Sequence, residues 1–97
     1  MKVIKQKVLE DFWKKHAEVR SQCERWLTEV EDAVWKNWHE LKERYRDASI
    51  IGDDLVVFNL KGKKYRLTAK IIFKRNLVLI EKMETHTEYS KRIKKES

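Results

Sequence analysis

Ninety-seven residues, 41% of them hydrophobic and 40% charged, suffice for one packed domain with a heavily solvated surface and exclude both a disordered chain and two independent cores. The formal net charge of +7 falls almost wholly in the second half, where 12 basic and 6 acidic side chains follow from Ser49 onward against 11 and 10 before it, so an anionic partner is expected there. Cys23 is the single cysteine, which excludes an intrachain disulfide and a cysteine zinc site, and neither a signal peptide nor an apolar run of ~20 residues is present; a soluble, unexported, cytoplasmic protein is expected.

Val3 and Ile4 in a polar surround predict a short first strand. From Gln6 the period becomes helical, with Val8, Phe12, His16, Val19 and Cys23 on one face and Leu9 and Trp13 beside it. Ser21 to Glu24 has the Ser-x-x-Glu spacing of a capping box, which predicts a break and the start of a second helix. Trp26, Leu27, Val30, Ala33, Val34, Trp38, Leu41 and Tyr45 then recur at three- and four-residue steps and predict one continuous helix to about Arg46. Lys42, Arg44 and Arg46 suit its negative end. Trp13, Trp26 and Trp38 keep core spacing, whereas Trp35 lies off the stripe, as an exposed ring or one beneath a partner. Cys23 and His16 read as packing residues and His39 as solvated.

Beyond Gly52 the pattern is that of strands: Leu55 to Leu60, a Lys61-Gly62-Lys63 turn, Lys64 to Lys74, a turn at Arg75-Asn76, and Leu77 to Met83. Connections this short predict an antiparallel meander. Glu84 to Ser97 reads as a polar tail ending in Lys91-Arg92-Ile93-Lys94-Lys95. The expected fold class is α+β, a single domain over residues 1–97 in the order β-α-α-β-β-β. A short N-terminal strand precedes a two-helix hairpin packed on one face of a small antiparallel sheet, with the other face open.

The strand from Lys64 to Lys74 carries the most information. Tyr65, Leu67, Ala69, Ile71 and Phe73 alternate with Lys64, Arg66, Thr68, Lys70, Ile72 and Lys74, which puts an apolar set on the core side and a mostly cationic set on the other. So much like charge on one sheet face calls for an anion, and nucleic acid is the leading candidate.

The run Val57-Phe58-Asn59-Leu60-Lys61-Gly62-x-Lys64-Tyr65-Arg66-Leu67, then Lys70-Ile71 and Thr85-His86-Thr87-Glu88-Tyr89, resembles the HigB-type toxins of bacterial toxin–antitoxin modules. The Trp26, Ala33 and Trp35 spacing is similar as well. The chain departs from that pattern at Lys63, where the family commonly has Asn, and at Ser90, where it commonly has Asp. The resemblance implies a compact fold of the RelE/ParE kind, an endoribonuclease that cuts messenger RNA on the ribosome, and a helix-turn-helix, HigA-like antitoxin through which alone operator DNA is reached.

RNA cleavage without a metal needs a base for the 2′-hydroxyl, cations for the phosphorane and an acid for the leaving oxygen. Arg66 and Lys70 share a strand face roughly 13 Å apart along the backbone and are expected to converge on one phosphate, Arg66 as the bidentate clamp. His86 follows the last strand and is the leading general acid or base, since an imidazole ordinarily titrates near about 6.5. Tyr89, one helical turn on, is its partner or a base-stacking ring. Lys63, Lys64, Lys74, Arg75 and Lys82 are the candidate RNA-binding cations. No cofactor is expected and no metal site, because the adjacent Asp53 and Asp54 point apart. Two other readings remain open: a non-nucleolytic toxin of the ParE type that inhibits DNA gyrase, and a non-catalytic RNA- or ribosome-binding domain.

Overall fold

Among the described residues of the computed structural model, which cover Met1 to Glu96, the helices are α1 (Lys7–Lys15), α2 (Arg20–Asp32), α3 (Trp38–Arg44) and α4 (His86–Glu96). The strands are β1 (Lys2–Ile4), β2 (Ser49–Ile50), β3 (Leu55–Leu60), β4 (Tyr65–Ile72) and β5 (Leu77–Thr85). Ser97 and the side chains of Lys95 and Glu96, which close the polar tail read from the sequence, lie outside the described residues.

The strands form one sheet in the order β1-β5-β4-β3-β2. β3, β4 and β5 are the expected antiparallel meander, β2 adds an antiparallel pair at one edge, and β1 joins the other edge parallel to β5, with Val3 opposite Val78. The α+β layout is therefore as expected, with a mixed sheet. Tyr65, Leu67, Ala69 and Ile71 are buried on one face of β4, as their alternation requires. A β-bulge on β5 inserts Glu81, so that Val78 and Ile80 before it and Met83 after it all face the core.

The helical layer differs from the expected hairpin in its breaks. α1 ends at Lys15 and a 3-10 turn over Ala17–Val19 leads into α2, so Ser21 sits inside α2 and makes no cap; its hydroxyl meets Gln22 instead. The long second helix is two. Ala33 is extended at φ −76° and ψ 151°, and the amino group of Met1 donates to the carbonyls of Val30, Glu31 and Ala33 at the end of α2. Asn37 then caps α3: its side chain accepts from the Glu40 N–H at 3.0 Å, and Glu40 accepts from the Lys36 N–H at 2.9 Å. The four non-helical residues Ala33 to Lys36 re-phase the chain. Val34, expected in the core, is 68% exposed, while Trp35, expected off it, is buried edge-on against Tyr45.

The core closes on Trp26, whose ring meets Phe58 edge-on at 5.3 Å, with Tyr45 packed on the same phenyl at 5.1 Å. Cys23 is fully buried and desolvation pushes its thiol up to about 11, consistent with packing and not with a nucleophile. His16 stacks on Phe12 at 4.4 Å, and the exposed His39 meets Glu43 at 2.8 Å. No helix among the described residues is long and apolar enough to cross a membrane.

The position of the caps is testable by urea unfolding. Asn37→Ala is expected to lower stability by about 1 kcal/mol, whereas Ser21→Ala, inside α2, is expected to stay within about 0.5 kcal/mol of the parent.

Candidate active site on the open sheet face

The site begins with a turn. Lys61, Gly62 and Lys63 all have positive φ, 51°, 59° and 74°, a conformation that closes the β3–β4 hairpin tightly and fixes Asn59 opposite Arg66. On the other side β5 places Glu84 opposite Arg66. The ladder continues one step further, where the His86 N–H donates to the Lys64 carbonyl at 2.9 Å. At that point Thr85 and Glu88 form a reciprocal capping box: the Thr85 N–H donates to Glu88 Oε1 at 2.9 Å and the Glu88 N–H to Thr85 Oγ1 at 3.1 Å. The presumed tail thereby becomes α4, packed over one end of the face expected to be open.

Arg66 is the centre of what α4 assembles. Its guanidinium donates to Asn59 Oδ1 and, at 3.1 Å, to His86 Nδ1, and it lies over the Tyr89 ring at 5.4 Å. Asn59 is held in turn by its own donation to the Asp47 carbonyl at 2.9 Å. The guanidinium of Arg92 takes the other share of Tyr89, also at 5.4 Å, and grips Glu84 bidentately through Nε and Nη2, both at 3.0 Å. Glu84 is thus committed to Arg92. Arg66 is left among neutral partners, with no carboxylate paired to it among the described residues. Because an arginine N–H can only donate, the bond to His86 requires an unprotonated Nδ1 and places the imidazole proton on Nε2.

The structure thus brings together Arg66, His86 and Tyr89, and it does not bring Lys70 to them. Thr68 intervenes on the same face, and the Lys70 ammonium lies 3.4 Å from Asp54, an ion pair that replaces the expected convergence. Lys63 and Lys64 sit at the hairpin beside His86, with Lys64 over the Tyr65 ring at 5.9 Å. Lys82 is exposed opposite Thr68, one row from Arg66. Lys74 and Arg75 occupy a 3-10 turn at the far end of β4, roughly 26 Å from Arg66 along the strand, too far to share its phosphate. Sequence reasoning missed Asn59, Glu84, Arg92 and the cap. The Thr85-x-x-Glu88 spacing announced α4, and counting back from the Lys61–Lys63 turn would have found Asn59. No group of three or more His, Cys, Asp or Glu among the described residues is placed to hold a metal.

Fold and cluster together define a small α+β protein whose sheet presents an uncompensated arginine beside an imidazole. The family model of the HigB toxins, the RelE-like toxic component of a toxin–antitoxin system, matches residues 19–92. The chain belongs to that family, and an antitoxin is the partner such a component implies. No curated protein matches the chain.

The cap ties the site to pH. Hydrogen bonding from the Thr85 N–H holds the Glu88 carboxyl below its ordinary range, helped by the Thr85 hydroxyl and by His16 and Lys15. A carboxyl depressed in the folded state contributes stability that is present above its unfolded value of about 4.3 and lost as pH falls through the lower folded value. Glu88→Gln is therefore expected to be less stable than the parent at neutral pH and to close that gap in urea titrations carried out below about pH 4.

Proposed function

We propose that this toxin is a metal-independent endoribonuclease that cuts messenger RNA on the ribosome, neutralised by a helix-turn-helix antitoxin of the HigA kind. One observation carries the reading: Arg66 has no carboxylate paired to it among the described residues and is aimed at the same space as an imidazole 3.1 Å away. A guanidinium so placed is a ready clamp for two phosphate oxygens, and it gains from an arriving anion what no side chain gives it.

When a phosphate engages Arg66, the N–H that now meets His86 turns to a phosphate oxygen. Nδ1 is released to accept the proton of the attacking 2′-hydroxyl as its oxygen bonds to phosphorus, and the 5′-oxygen leaves as its bond to phosphorus breaks, taking a proton from the imidazolium so formed or from water. Asn59 and Tyr89 hold the guanidinium plane, Asn59 in line with β3 and Tyr89 from α4, so the clamp is preorganised before substrate arrives. Lys63, Lys64 and Lys82 border the same end of the sheet and steer the RNA strand by charge, a contribution that weakens with salt. Lys70 joins only by exchanging Asp54 for a phosphate, and Lys74 and Arg75 contact RNA at a distance from the cut. The carboxylate next to the cluster, Glu84, is occupied by Arg92, which leaves no convergent acidic set for two-metal chemistry among the described residues.

The reading is tested by inducing wild type, Arg66→Ala, Arg66→Lys and His86→Ala and mapping new transcript ends within minutes. Wild type is expected to generate ends and arrest growth. Each folded variant is expected to lose cleavage by at least about a hundredfold, with Lys failing to replace the arginine fork. Full cleavage by both alanine variants overturns the mechanism, and arrest with intact transcripts moves the toxin to a non-nucleolytic target.

A further inference from the structure

Beside the Arg66 cluster the same sheet face sinks into a cleft of about 310 Å³ bordered by Ile51, Leu55, Thr68, Glu81, Lys82 and Arg92. Its floor is Thr68, only 5% exposed, whose hydroxyl is buried and has no hydrogen-bond partner among the described residues. Its apolar wall is fixed in place: the Ile51 N–H donates to the Leu55 carbonyl at 3.0 Å, folding the loop after β2 back over the start of β3. Its rim is charged, with Lys82 directly across from Thr68 and Glu81 turned out by the bulge. Arg92, held on Glu84, separates the cleft from Tyr89 and Arg66.

We infer that this cleft seats the nucleobase of a nucleotide flanking the phosphate on Arg66, with the Thr68 hydroxyl as a reader of its edge, an assignment that rests on the nuclease reading above. Thr68 lies two residues from Arg66 on one strand face, roughly 7 Å along it, within the reach of one nucleotide. A flat group with apolar faces and polar edges fits two aliphatic walls, a hydroxyl floor and a charged rim. Single-stranded RNA offers such groups unstacked, and their edges supply the partner that the buried hydroxyl lacks. The bulge has a use here: it holds Glu81 and Lys82 together at the mouth, an acceptor and a donor for the exposed side of the base.

Two measurements test the seat, and the first needs no cleavage. Methyl resonances of Ile51, Leu55 and Thr68 are followed while the four nucleoside 3′-monophosphates or inorganic phosphate are added. The nucleotides are expected to shift these methyls to different extents, and phosphate alone to shift only signals of Arg66 and His86. Methyls that respond to no nucleotide, or equally to nucleotides and phosphate, overturn the seat. In the second, cut sites of Thr68→Val, which keeps the side-chain shape, are mapped on a randomised RNA. The preference for one base beside the cut is expected to fall about three- to tenfold, the worth of one hydrogen bond; an unchanged preference overturns the role of Thr68. Leu55→Trp, which fills the cleft, is expected to abolish the nucleotide-dependent shifts while the phosphate response at Arg66 persists. Nucleotide-dependent shifts in a protein that cuts no RNA leave the seat standing and remove the nuclease reading instead.

Discussion

A guanidinium that is partly withdrawn from water and given no counter-ion carries a free-energy deficit that only an anion removes. Arg66 is in that position. Its Nε is buried and without a partner among the described residues, and Nη1 and Nη2 each meet one neutral acceptor, an amide oxygen and an imidazole. The neighbouring carboxylate would relieve it, but Arg92 arrives on α4 and takes Glu84 first. The lack of a carboxylate on Arg66 thus rests on a local competition between two arginines for one glutamate, decided by the docking of the last helix.

The rest of the fold serves to keep that arrangement rigid. Tyr65, one residue before Arg66, turns inward and donates its hydroxyl to Glu18 in the 3-10 turn between α1 and α2. That bond holds Glu18 below the usual carboxylate range and helps to push the Tyr65 phenol up to about 12. The strand carrying Arg66 is thereby fastened to the helical layer on one side and to α4 on the other. Trp26, Phe58 and Tyr45 fill the space between with edge-on ring contacts, which favour one arrangement of the layers over many.

The sheet was legible in the sequence because its period is simple and its turns are short. Leu55 to Leu60 needed no correction, and the burial of Tyr65, Leu67, Ala69 and Ile71 follows from alternation alone. The helices were harder for a physical reason. Ala33 and Val34 continue the apolar stripe, so the period does not betray the break, where Met1 from outside the run bonds the end of α2 and Asn37, off the stripe, caps α3. The capping-box rule was sound but applied at the wrong residue: Ser21 lies inside a segment already helical, whereas Thr85 stands where a strand ends and unsatisfied amides begin. Arg66 and His86 were readable as chemistry. Their partners were not, because Asn59 and Glu84 are joined to Arg66 by strand register and Arg92 to Glu84 by a helix read as a tail.

The most direct test of the central claim is the protonation pattern of the His86 ring, read by nitrogen-15 NMR of the neutral imidazole before and after addition of an RNA made uncleavable by a 2′-deoxy substitution at the cut. In the free protein Nδ1 is expected to be unprotonated and hydrogen-bonded, with the proton on Nε2, and RNA is expected to withdraw the arginine donor and shift the Nδ1 resonance. A proton on Nδ1 in the free protein, or a ring indifferent to bound RNA, would contradict the account.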